Sequence, residues 1–163
     1  MQLPIHDYLD ALQIPYTKRA FPVTTEKGAA QVARALGYRP RQMVKTLIFA
    51  VDTGEQVLVM VGGDQNAISG HLKKAIGSRN ITLAGAAVVQ ETTGYAIGSI
   101  PPCHWQPPGF RTFMDAALVQ EEVLGVGTGT WGQEVLIRPA HLIAACQAIV
   151  VNLTDAQRPV WPA

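Results

Sequence analysis

Cysteine, charge and long apolar runs are all scarce in this chain. Of its 163 residues only two are cysteines, Cys103 and Cys146. They lack the spacing of a zinc knuckle or a redox pair and are too few for the disulfide framework of a small secreted domain, so a reducing, cytoplasmic setting is expected. Charged residues make up 15% of the chain against 48% hydrophobic, which excludes a charge-rich disordered segment and favours order throughout. The longest apolar stretch, LIAACQAIVV at 142–151, is too short to cross a bilayer. The N-terminal MQLPIHDYLD carries two acids and no basic-then-apolar leader pattern. No membrane partner is expected.

Recognisable catalytic motifs are equally scarce. Ser69, Ser78 and Ser99 stand in no nucleophile-elbow pattern. Cys103 and His104 are neighbours, and adjacent side chains rarely converge as a catalytic pair. His6, His71, Cys103 and His104 form no metal-ligand spacing, so no metal and no cofactor are expected. The run GVGTGTWG at 125–132 lacks the closing Gly-Lys-Ser/Thr of a phosphate-binding loop.

What is present begins with an uneven charge distribution. Residues 1–90 hold ten Lys/Arg against six Asp/Glu, net +4, whereas residues 91–163 hold three against six, net −3. Lys27, Arg34, Arg39, Arg41 and Lys45 occur with no acid between them, and Lys73, Lys74 and Arg79 form a second acid-free group. Such faces can meet phosphates or simply be solvated helix surfaces; an RNA partner is permitted, and no DNA partner is expected.

The elements follow in mixed order. Ile5, Tyr8, Leu9 and Leu12 share one face of a helix over 5–13, and YTKRAFP reads as a strand. Thr24 or Thr25 can cap a helix ending at Gly37, and QMVKTLIFAV, DTGE and QVLVMVG form a hairpin. Helices follow from near Asp64 to Gly77 and over 83–94, then strands at FRTFMD, EVLGVG and QEVLIR. A helix opens at Pro139, and AIVVNL is a last strand or extended tail. The expectation is one α+β domain over residues 1–163, a mixed, mostly antiparallel sheet flanked by helices.

Two features invite a functional reading. Lys45 sits mid-strand among Met43, Val44, Leu47, Ile48 and Phe49; it either snorkels to a wet face or offers its ammonium to a phosphate or carbonyl in a cleft. The stretch TGYAIGSIPPCHW at 93–105 is either a tight connection or a bare backbone able to present N–H groups to an oxyanion.

Taken in order and spacing, VKTLIF, LKKAIGSRNITLAGAAVVQETTGYAIGSIPP and GVGTGTWGQEVLIRPAHLIAAC resemble the YbaK/EbsC family. These are free-standing aminoacyl-tRNA deacylases related to the editing domain of prolyl-tRNA synthetase, and the resemblance runs from about residue 20 to about residue 153. It implies a YbaK-like fold and hydrolysis of the ester on a mischarged tRNA, with tRNA-Pro favoured and prolyl-tRNA synthetase a possible partner. It places Lys45 and Gly98 in catalysis, and Thr46, Ser99, Ile100, Pro102, Gly127 and Thr128 at the substrate. Attack is then assisted by the substrate's own ribose hydroxyl, with no side-chain nucleophile. Ser99 and His104 stand where the family's loop usually carries glycine, and Glu134 falls where some members carry an acid. A non-catalytic module binding tRNA, an amino acid or a synthetase is the alternative if those two side chains block the site; a hydrolase of another small ester or amide is a third.

Overall fold

The run QVLVMV is apolar at nearly every position, the pattern of a strand covered on both faces. In the computed structural model, which describes residues 1–156, this strand, β3 (Gln56–Val61), is the centre of a five-stranded sheet, and Val57 through Val61 are completely buried. On one side it pairs antiparallel with β2 (Lys45–Val51), which pairs antiparallel with the short edge strand β4 (Ile81–Leu83). On the other side it pairs parallel with β5 (Thr112–Asp115), itself parallel to β8 (Ile149–Val151). A second, antiparallel sheet has the order β1 (Thr17–Ala20), β7 (Gln133–Ile137), β6 (Leu124–Gly127). The architecture is mixed α+β and mostly antiparallel, as the sequence predicts, with the strands divided between two sheets.

Five helices cover these sheets: α1 (Pro4–Ala11), α2 (Ala29–Leu36), α3 (Ser69–Ile76), α4 (Ala86–Thr93) and α5 (Pro139–Cys146). Ile5 and Leu9 of α1 and Leu142 of α5 join Ile48, Leu58, Met60, Val126 and Val135 in the core between the sheets. Leu72 and Ile76 of α3 cover the opposite face of the larger sheet against Val57, Val59, Val61 and Phe113. Alternation along β2 sends Ile48 to the first core and Leu47, Phe49 and Val51 to the second. The C-terminal tail is anchored by the buried Asp115, which accepts from the Leu153 N–H at 2.8 Å and the Thr154 hydroxyl at 2.6 Å.

Three boundaries differ from the sequence expectation. Helix α2 is capped at Gly28, with φ +129°, four residues after Thr24 and three after Thr25. The threonine segment forms a turn instead, the Thr25 N–H donating to the Pro22 carbonyl. Helix α3 starts at Ser69, not near Asp64, because residues 62–68 are tied elsewhere: Gln65 N–H donates to Gly62, and Ile68 N–H to Leu153. Strand β4 has only three residues, too short for a periodicity to register. The last residues of the domain expected over 1–163, residues 157–163, lie outside the described residues.

Where β3 ends, Gly63 lets three backbone segments meet. A methyl group there would lie 2.3 Å from the Pro40 carbonyl oxygen and 2.4 Å from both Ala29 Cβ and the Met43 carbonyl oxygen. Gly63→Ala should therefore separate α2 and the turn at Pro40–Gln42 from the sheet and lower stability by about 1–3 kcal/mol, the usual range for overpacking. Urea denaturation of the variant beside wild type measures this; an unchanged midpoint would show that the segments can move apart freely.

Candidate active site

The start of β2 meets the second sheet at one point. Met43 bridges Gly125 of β6, and the Val44 N–H donates to the Gly125 carbonyl at 2.9 Å. Above this junction opens a cavity of about 390 Å³, lined by Lys27, Gly28, Ala29 and Val32, by Met43 through Leu47, by Ile97, Gly98 and Ile100, and by Gly127, Trp131 and Glu134. That volume lies within the range for small-molecule sites.

Of the residues singled out from sequence, Lys45, Thr46, Gly98, Ile100 and Gly127 line this cavity together. Lys45 is held by Asn66, its Nζ donating to Oδ1 at 3.0 Å. Asn66 lies in the segment before α3. Burial pushes the Lys45 ammonium below its ordinary pKa, with the Asp64 charge acting in the other direction. The Thr46 hydroxyl is buried without a hydrogen-bond partner among the described residues.

The glycine-proline loop supplies backbone. Gly98 has φ +98°, with open space where a side chain would be. The N–H groups of Gly98 and Ile100 have no acceptor among the described residues, while the Ser99 carbonyl is taken by the Gly129 N–H at 2.7 Å. Gly127 lies tightly under this loop: a Cβ there would sit 2.9 Å from the Ser99 oxygen and 3.2 Å from the Ile100 oxygen. The cavity is thus lined by a cation, Lys45, and by a loop whose Gly98 and Ile100 N–H groups make no hydrogen bond among the described residues, an arrangement suited to an oxyanion beside a phosphate.

Ser99, Pro102 and Thr128 do not line the cavity. Thr128 is buried and its hydroxyl is spent on the Thr130 and Gln133 carbonyls, shaping the β6–β7 turn. Pro102 is buried and its carbonyl accepts from Gln106 Nε2. His104 has φ +87°, the physical reason a glycine would be at home there. Its ring turns into a separate, smaller cavity, where Nε2 lies 2.7 Å from the Tyr95 hydroxyl. Burial keeps this imidazole below its ordinary pKa. Cys103 is buried beside Cys146; a hydrogen bond from Cys103, then burial, pushes the Cys146 thiol up.

One contact was not legible in the sequence, and one acid noted there only through the resemblance takes a defined place. Lys27 stacks its ammonium 3.8 Å from the centre of the Trp131 ring at the cavity wall, joining residues 104 positions apart. Glu134 is the only acid among the lining residues. It is 9% exposed, makes no hydrogen bond or ion pair among the described residues, and is pushed up to about 8 by burial.

The region that builds this cavity has relatives. The profile of the Aminoacyl-tRNA editing domain matches residues 24–145, three quarters of the chain. The chain belongs to this family. Among curated proteins, it is 22% identical over 146 residues to "Putative Cys-tRNA(Pro)/Cys-tRNA(Cys) deacylase EbsC" of Enterococcus faecalis, covering 89% of this chain and 88% of that one. It is 35% identical over 77 residues to a proline–tRNA ligase of Lysinibacillus sphaericus, but that match covers 47% of this chain and only 13% of the ligase. The editing domain also superimposes on a solved structure titled "Crystal structure of a putative trans-editing enzyme for prolyl tRNA synthetase", with TM-score 0.84, 25% identity, and coverage of 94% and 96% of the two chains. The YbaK/EbsC resemblance and its α+β fold are thereby supported over nearly the whole length.

Glu134 makes the stability of the editing domain depend on pH. Its folded pKa is raised from 4.5 to about 8, so between those values the native state holds a proton that the unfolded chain releases. Stability attributable to this group is greatest below about 4.5 and falls as pH rises toward 8 and above. Glu134→Gln should abolish that slope and be more stable than wild type at pH 8.5 by on the order of a few kcal/mol. Thermal melts of both proteins between pH 5 and 9 measure the difference; parallel curves would mean that Glu134 is ionised in the folded state.

Proposed function

We propose that this editing domain is a trans-editing aminoacyl-tRNA deacylase: it hydrolyses the ester between a wrongly attached small amino acid and the terminal ribose of a tRNA. The observation that supports the reading is the cavity itself, which Lys45, Gly98 and Ile100 line together with no cysteine, serine or histidine among the lining residues. A site of this composition can position and polarise an ester but cannot attack it through a strong side-chain nucleophile.

The step follows from that. Water adds to the ester carbonyl carbon, and the carbonyl oxygen takes up negative charge facing the Gly98 and Ile100 N–H groups. The bond to the ribose oxygen then breaks, that oxygen is protonated, and free amino acid and intact tRNA leave. The neighbouring ribose hydroxyl of the substrate orients the water and passes the proton. Lys45, steadied by Asn66, holds the phosphate or ribose of the terminal nucleotide. Pre-organised donors of this kind are worth about 10²–10³ in rate each.

Selection by size gives the activity a purpose. A synthetase separates amino acids differing by one methylene by only about 1–3 kcal/mol, so a second, smaller site is needed to remove contaminants. The similarity to the putative deacylase EbsC and to the putative prolyl trans-editing enzyme supports tRNA-Pro as the carrier and prolyl-tRNA synthetase as a partner. Neither Ser99 nor His104 is among the residues that line the cavity, and His104 lines a separate one, which supports an open site over a blocked one.

Deacylation of tRNA-Pro charged with alanine, cysteine, serine, threonine or 2-aminobutyrate tests the reading, with wild type and Lys45→Ala side by side. The expected outcome is rapid release of at least one amino acid, reduced at least 100-fold in Lys45→Ala while its circular dichroism and melting temperature stay close to wild type. Absence of hydrolysis with every substrate would overturn the enzyme reading; wild-type turnover by Lys45→Ala would overturn the role of that residue.

A further inference from the structure

An acid buried without a partner is unfavourable to keep, and it persists where something outside the chain completes it. Glu134 is such an acid. It lies on β7 directly opposite Gly127 of β6, and a Cβ at Gly125, two residues earlier, would come 3.2 Å from Glu134 Oε2. The carboxyl therefore rests over the side-chain-free face of β6. The same face supports the Ser99–Ile100 backbone through Gly127.

The cationic groups nearby do not satisfy it. Arg19 of β1 is its direct cross-strand neighbour, yet the Arg19 guanidinium donates to the Leu36 carbonyl at 3.3 Å and lies 5.9 Å from the centre of the Tyr38 ring. Lys27 stacks on Trp131, and Lys45 is bound to Asn66. Burial is the one cause of the Glu134 shift, with no charge partner contributing. The cavity thus carries two lysines engaged by Trp131 and Asn66 and one carboxyl without a partner among the described residues.

The geometry points to Glu134 as the group that recognises the free α-ammonium of the bound aminoacyl ester, making the site selective for substrates with an unmodified amine. This rests on the deacylase reading for the identity of the ligand. In an aminoacyl ester the amine is one carbon from the carbonyl. With that carbonyl at the Gly98 and Ile100 N–H groups, the amine lies beside the loop wall that Gly127 supports, one strand spacing from Glu134. An ammonium there has two lysines to avoid and one carboxyl to meet. It also supplies the opposite charge that favours ionised Glu134, so proton release from the carboxyl and amine binding reinforce each other. A substrate lacking the amine leaves the acid uncompensated, and a site built to pair a polar group discriminates strongly against its absence.

Binding is measured by calorimetry with non-hydrolysable 3′-amide analogues of alanyl-adenosine and seryl-adenosine, each against its 2-hydroxy counterpart built on lactate or glycerate, which has nearly the same shape and no amine. Wild type is expected to bind at least one amine analogue at least 10-fold more tightly than its hydroxy partner. Glu134→Gln, which keeps the size of the side chain, is expected to reduce that ratio to within about threefold. Equal binding of the pair by wild type, an unchanged preference in Glu134→Gln, or no detectable binding of any analogue would overturn the assignment. The same pairs as esters on tRNA separate this inference from the enzyme reading. Amine-selective binding without hydrolysis would leave Glu134 assigned and remove the deacylase; hydrolysis indifferent to the amine would do the reverse.

Discussion

The missing side chains on one face of β6 are the constraint from which the site follows. Gly125 and Gly127 alternate with Val126, so one face of this strand packs the core between the sheets and the other is bare backbone. On that bare face Met43 lies so close that its Cε and Sδ would be 2.6 Å from a Cβ at Gly125, and the Ser99 carbonyl would be 2.9 Å from one at Gly127. A larger residue at Gly127 would push the glycine-proline loop away, because the close atoms there are backbone, whereas one at Gly125 would displace the end of the Met43 side chain. The cavity is the space that remains after those two close approaches.

Its chemistry is one of unsatisfied groups. Buried polar groups in folded proteins are almost always paired, but the Thr46 hydroxyl is buried without a partner among the described residues; Glu134 and the N–H groups of Gly98, which is exposed, and of Ile100 make no hydrogen bond there either, and all four residues line one cavity. Elsewhere polar groups are spent on the fold: Thr128 on its turn, Asp115 on the C-terminal tail, Arg111 on a two-pronged pair with Glu55. Buried side-chain atoms without a partner also occur at His6, Thr112 and His141, outside this cavity, so it is the grouping of Thr46 with Lys45 and Glu134 in one cavity that sets the site apart.

Much of this was legible in particular residues. QMVKTLIFAV and QVLVMVG formed the hairpin read from their turn, Gly37 and Gly77 closed their helices as read, and Pro139 opened the last one. The resemblance brought Lys45, Thr46, Gly98, Ile100 and Gly127 into one list, and these five converge in space. The helix starts were misplaced because Thr24 and Asp64 look like caps, while the backbone around them is held in turns and extended segments by tertiary bonds. Ser99, Pro102 and Thr128 belonged to the right segments but point elsewhere, since motif membership does not determine which way a loop residue faces.

By itself the sequence determined the class of fold, the family, and the strand and loop from which the site is made, because burial periodicity and residue order survive in one dimension. Only the tertiary structure decided that Lys27 lies on Trp131, that Arg19 turns away from Glu134 toward the end of α2, and that Glu134 is left alone in the cavity. Those outcomes depend on which of several possible partners a charged side chain reaches once two sheets are packed. That competition is settled by distance and burial, neither of which a linear pattern contains.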